Sequence, residues 1–202
     1  MATARNALKF KHQVEAGKYI PEEVRKKLEG QTELTAEERE ICLRAAILTK
    51  RRKKLAFLRA EAAIVDLDRN IKTALNNSNP QIIKCCDLLT ELLQMSLEPL
   101  MLIKQPDLLL TIRKLRKYVG PADLTSYTEA YKLNIASGVK MITNRSGLCY
   151  DKFAKLFPGH SASSQQPFHE YFQEQVDQWK ERTKDWDEVK VLSFTEQDEA
   201  EV

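Results

Sequence analysis

The sequence predicts an all-α protein, and three observations carry that prediction. Only 6 glycines and 7 prolines interrupt 202 residues, and nearly all of them fall where a helix should begin or end. Apolar residues recur at three- and four-residue spacing, whereas the period-two alternation of a half-buried strand is sustained nowhere. The stretch from Thr35 to Asn76 contains no helix breaker at all. A hydrophobic fraction of 43% and a charged fraction of 30% fit one domain whose core is carried by part of the chain, with flanking arms.

Each element has its own signals. Pro21, followed by Glu22 and Glu23, opens a helix that Gly30 closes. "TAEE" at Thr35–Glu38 is a capping box that opens a second, very long helix. Within it Ile64, Leu67, Ile71 and Leu75 keep helical spacing, and Leu43 and Ile47 keep it more loosely. "NNSNP" ends it: Asn79 caps the next helix and Pro80 takes its first position, with Ile82, Cys86, Leu89 and Leu93 on one face. A short apolar turn, "EPLMLIKQ", precedes the helix "PDLLLTIRKLRKY", started by Pro106 and Asp107 and stopped by Gly120 and Pro121. Helical sequence resumes near Leu124 and runs to "CYDKFAKLFPG", with Gly138 and Gly147 as bends. The linker 160–167 follows, then one amphipathic helix over 168–192 built on Phe168, Phe172, Val176 and Trp179. An acidic, disordered tail, 193–202, closes the chain.

Chemistry-bearing residues are sparse. Net charge is +3, so any pull on polyanions must come from local clustering. Cys42, Cys85, Cys86 and Cys149 form no C-x-x-C pair, and with three scattered histidines they make no zinc site. Reduced, partly buried thiols in a cytosolic or nuclear protein are the simplest reading. No apolar run has the length of a membrane span. The start, "MATARNALKFKHQV", lacks acids and mimics a transit peptide, but it is serine-free and has one arginine. There is no glycine-rich phosphate loop, nucleophile elbow or His-Glu metal pair, so no enzyme and no cofactor is expected. Asp66 and Asp68 fall on different helix faces, His160 and His169 read as solvated, and Tyr127 and Tyr131 as a packing stripe.

Two basic clusters stand out. "KRRKK", Lys50, Arg51, Arg52, Lys53 and Lys54, has no acid near it between Leu43 and Ala60. Successive residues encircle a helix, so these five cannot share one face; nuclear import or nucleic-acid contact is expected. The second is "TIRKLRKYVG", Thr111–Gly120, whose positive charges suit a helix C-terminus and equally a lip for an acidic partner.

From Glu61 to Phe157 the chain resembles the integrase-binding domain of lens epithelium-derived growth factor and its hepatoma-derived-growth-factor relatives. The resemblance rests on "NIKTALNNSNPQIIKCCDLLTEL" (Asn70–Leu92), "TIRKLRKY" (Thr111–Tyr118) and "ITNRSGLCYDKFAKLF" (Ile142–Phe157). It implies a compact right-handed helical array of the transcription elongation factor IIS N-terminal type, spanning 61–159 with an insertion at about 121–141. Residues 1–60 then form a helical extension carrying the basic cluster, with no likeness to the PWWP β-barrel usual at the family's N-terminus. The resemblance implies a binding surface made by two interhelical loops. The first is Leu75, Asn77, Ser78, Asn79 and Pro80; the second is Tyr118, Val119 and Gly120, where the aromatic walls an apolar pocket. Arg113, Lys114 and Lys117 would face acidic partners. Where the family has an apolar residue and an aspartate, this chain has Asn77 and Ser78, a weaker acceptor for partner backbone.

The expected function is therefore a nuclear, non-enzymatic transcription or chromatin adaptor that binds short acidic-aromatic motifs of nuclear proteins. The alternative is a nucleic-acid-binding helical protein using Lys50–Lys54. The tail, with Phe194 beside Glu196, Asp198, Glu199 and Glu201, has the character of such a ligand and is expected to fold back weakly onto Arg113, Lys114 and Lys117.

Overall fold

The computed structural model describes residues 10–30, 33–75, 80–121, 128–160, 166–195 and 198, with only the backbone of 129–131. Every regular element among the described residues is helical. In chain order these are α1, described over 10–15, α2 (Glu22–Glu29), α3 (Ala36–Ala74), α4 (Ile82–Gln94), α5 (Pro99–Lys104), α6 (Pro106–Leu115), α7 (Glu129–Lys155), α8 (Phe168–Thr183) and α9 (Glu188–Ser193). The chain divides between Ala56 and Phe57 into two compact units.

In the first unit, α2 carries glutamates in its first turn and lysines in its last, as the helix dipole favours. Gly30 ends it. The capping box at the start of α3 forms in both directions: the Glu38 amide donates to Thr35 Oγ1 at 3.3 Å, and the Thr35 amide donates to Glu38 Oε2 at 2.9 Å. Lys27 Nζ reaches Glu38 Oε1 at 2.7 Å, and that hydrogen bond is the main reason the Glu38 carboxyl lies below its ordinary value. Gly17 sits at φ +61°, and a Cβ there would fall 2.9 Å from the carbonyl carbon of Arg44. Only glycine lets this turn approach the backbone of α3.

In the second unit the later part of α3 contributes Phe57, Ile64, Leu67, Ile71 and Ala74 to a core completed by Leu89, Leu92, Ile112, Ile142 and Phe153. Helices α4 and α6 pack on α7, and α5 packs on α6 and α8. Helix α7 runs unbroken over 27 residues through Gly138 and Gly147. Gly138 is there for packing, since a Cβ would lie 2.3 Å from Ile82 Cγ2. Lys152 caps α4, donating to the carbonyls of Leu92, Leu93 and Met95 at 3.2, 2.9 and 2.5 Å. Burial lowers the pKa of this lysine.

The C-terminal region differs from the sequence expectation. The single helix over 168–192 is two: α8 stops at Thr183 and α9 starts at Glu188. Between them Trp186 turns back, with its ring 5.9 Å from that of Trp179 and 5.0 Å from that of Phe194. Phe194 and Thr195, assigned to a disordered tail, are buried. His160, expected to be solvated, packs its ring 5.4 Å from Phe168 and 5.5 Å from Tyr171, with Nε2 3.0 Å from the Gln166 carbonyl. Residues 161–165 of the linker lie outside the described residues.

Candidate partner-binding site

Helix α6 is positioned from both ends. Pro106 occupies its first turn, where a missing amide proton costs nothing. Leu108, Leu109, Ile112 and Leu115 are buried along one face. On α3, Asp68 Oδ1 accepts from the Thr111 hydroxyl at 2.6 Å, which fixes the rotation of α6. The outward face is left to Arg113 and Lys114, with Arg116 and Lys117 just beyond the last turn.

The helix ends at Leu115, earlier than the run to Tyr118 that its composition predicts. The chain tightens instead: the Lys117 amide donates to Lys114 O at 3.0 Å, and the Tyr118 amide donates to Leu115 O at 3.1 Å. These i to i+3 bonds swing Tyr118 inward. Its ring is half-buried against the core, and burial raises its phenol pKa. Val119 is thrown outward, 89% exposed. Gly120 follows at φ +94°, with a Cβ position 3.2 Å from Val139 Cγ2. The turn is a built feature rather than a frayed end.

Its charges divide into two kinds. Arg116 lies over the Tyr150 ring, 4.2 Å from the centroid, and so clamps the turn to α7. Arg113, Lys114 and Lys117 are exposed and make no ion pair among the described residues. They are the cations left to meet an acidic partner.

Of the first loop, Leu75 and Pro80 are half-buried, and the Gln81 amide donates to Ala74 O at 2.7 Å, drawing the two ends together. Asn77, Ser78 and Asn79 lie outside the described residues. Pro80 borders a groove of about 810 Å³ between α4 and α7, lined also by Ile82, Ile83, Ile135, Gly138 and Met141. Ile83 is 80% exposed within it. Gly120 rests on Val139 and Ile135 of α7, so the end of the first loop and the end of the second meet the same part of that helix. This part of α7 lies in the segment 121–141 that reads as an insertion. Sequence reasoning missed Ile83 and Met141. The adjacent pair Ile82–Ile83 gave no clear signal, because a helix can bury both members of such a pair, as α6 does with Leu108 and Leu109.

The aromatic residue of the tail is committed elsewhere than at this lip. Phe194 is held by Trp179 and Trp186, and Lys104 Nζ donates to the carbonyls of Leu192 and Phe194 at 2.9 and 3.3 Å. Thr195 is tied through its amide and hydroxyl to Asp198 Oδ2, both at 2.9 Å. The aromatic that was to fold back is already buried elsewhere. Glu196, Glu199 and Glu201 lie outside the described residues.

Three of the four thiols, Cys85, Cys86 and Cys149, are buried. Burial pushes Cys85 and Cys149 up to about 12. Cys86 is raised as well. Among the described residues no group of three or more His, Cys, Asp or Glu side chains is placed to hold a metal ion, and no helix is long and apolar enough to cross a membrane.

The family model for Lens epithelium-derived growth factor (LEDGF) matches residues 61–182. The chain belongs to the LEDGF family. No curated protein and no solved structure matches it. The LEDGF match begins at Glu61, where the resemblance begins, but runs on past Phe157 to take in most of α8. The packing gives the reason: Phe168, Phe172, Val176 and Trp179 join the core cluster that contains Phe157. Membership in the LEDGF family carries a chromatin- and transcription-associated role in protein interaction, and with it a nuclear setting.

Proposed function

We propose that this LEDGF-family chain is a non-enzymatic nuclear adaptor that binds short acidic-aromatic motifs of transcription or chromatin proteins. The observation that carries the reading is the turn at Tyr118–Gly120. An exposed valine lies between a half-buried tyrosine and a glycine at positive φ, close in sequence to three exposed cations that make no ion pair among the described residues. Charge would draw in the acidic segment, and apolar contact at Val119 and Tyr118 would retain its aromatic residue. In this reading Leu75, Asn77, Ser78, Asn79 and Pro80 of the first loop complete the surface, as the family resemblance implies. Lys50, Arg51, Arg52, Lys53 and Lys54 serve as the import signal in this reading.

Calorimetry with an acidic peptide containing phenylalanine tests it. Val119→Asp changes an exposed position and repels the ligand, so the fold should persist while binding falls. Tyr118→Ala should cost about 2 kcal/mol of binding, near thirtyfold, with some loss of stability because the ring is half-buried. Unchanged affinity in both variants would refute the site.

A further inference from the structure

From Ala46 to Ala56, helix α3 has no buried residue. The neighbouring buried positions are Ala45 and Phe57. Eleven residues make about three turns, or roughly 16 Å of helix. Over that length only Leu48, facing the Gly17 turn, and Lys54 are half-buried, and every other side chain is exposed, which is unusual for a segment within a folded chain. In the middle of this bare shaft stand Lys50, Arg51, Arg52, Lys53 and Lys54, and no acid occurs between Glu40 and Glu61. Arg51, Arg52 and Lys53 are exposed and make no ion pair among the described residues.

We infer that this shaft is a duplex-nucleic-acid-binding element that seats in a major groove. The argument is geometric. Successive residues of a helix stand about 100° apart, so the exposed Arg51, Arg52 and Lys53 by themselves spread over roughly 200° of the circumference. A flat acidic protein surface touches one side of a helix, and the charges on the other sides would be wasted on it. A B-form major groove is about 12 Å wide, admits one helix, and has phosphate walls on both sides. Three cations spread over that arc suit two phosphate walls better than one flat face. No side chain pairing specific to a base is implied, because arginine and lysine on phosphates position a protein without reading sequence. The inference is independent of the motif-binding lip.

The test is fluorescence anisotropy of the full chain with a mixed-sequence 20-base-pair DNA duplex, at several salt concentrations. Three to five phosphate contacts, at a slope of about −0.9 each, predict roughly forty- to five-hundredfold weaker binding between 50 and 200 mM salt. The triple variant Arg51→Gln, Arg52→Gln, Lys53→Gln changes only exposed residues, and glutamine keeps helix propensity. It should lose most of this binding and most of the salt slope, with unchanged circular dichroism and unchanged affinity for the acidic-aromatic peptide. Val119→Asp should do the reverse. No duplex binding by the wild type at 50 mM salt would overturn the proposal. So would equal retention of polyglutamate of matching charge, which would make the shaft a general anion face. A triple variant that loses nuclear accumulation but binds duplex normally would leave import as the cluster's only role.

Discussion

Helix α3 is one continuous helix with two different lives. From Phe57 to Ala74 it buries Phe57, Ile64, Leu67, Ile71 and Ala74. From Ala46 to Ala56 it buries nothing. The first of these stretches is held by the core it helps to make. The bare one has good helix formers such as Ala, Leu, Lys and Arg, with the reciprocal Thr35–Glu38 cap and the Arg44–Glu40 pair one turn apart in the region before it. A helix can thus be set locally while its role is set by what covers it.

The same contrast appears among the lysines. Lys53 is solvated, whereas the Lys104 side chain is 3% exposed and pairs at 2.7 Å with Glu61, itself 9% exposed. One oxygen of Glu61 has no hydrogen-bond partner among the described residues, so the carboxylate depends on Lys104 for its compensation. Lys104→Met is expected to give the largest effect, about 3–5 kcal/mol, because it leaves the Glu61 carboxylate buried without a counter-charge. It also frees the carbonyls of Leu192 and Phe194. Urea unfolding measures the loss, and adding Glu61→Leu should restore much of it. Lys53→Met should do almost nothing, and a similar cost for both lysines would break the comparison.

Next in size is the core stripe. Ile71→Ala, at a position with no exposed surface, should cost about 2–5 kcal/mol. Leu55→Ala on the bare shaft should change stability by no more than about 0.5 kcal/mol. Thermal unfolding of the two variants side by side tests this, and an equal loss would mean that something covers Leu55.

The smallest effect separates the thiols. Cys42, half-buried in the first unit, should react with a thiol reagent at pH 8, while Cys85, Cys86 and Cys149 stay silent until the second unit opens. The pH dependence has a definite sign. Cys85 and Cys149 rise from 9.0 to about 12 on folding, so the native state holds protons that the unfolded state releases. Their contribution is complete below about pH 9 and is lost as pH climbs toward 12. Denaturant midpoints measured across that range should fall steadily.

Most local signals in the sequence held over about one helical turn, although α4 starts at Ile82 with Gln81 at its N-cap, not at Pro80. The Thr35–Glu38 box, Pro106 in the first turn of α6 and the Ile64–Leu67–Ile71 stripe all stand where their chemistry puts them. The end of α6 was not legible: no breaker occurs before Gly120, and only packing draws Tyr118 inward. The groove beside Pro80 was hidden for a similar reason, since Ile83 and Met141 lie on separate helices that meet through the small Gly138.

The sequence alone determined the helical class, the family and the charge of both basic clusters, because propensity, capping and apolar period are properties of neighbours along the chain. Tertiary structure decided which cations remain available and which aromatics are spent. Arg116 looks like Arg113 in sequence, yet it lies on Tyr150. Phe194 looks like a free ligand, yet Lys104, 90 positions away, holds its carbonyl. Such outcomes depend on burial between distant segments, where desolvation and packing outweigh anything one turn of helix can express.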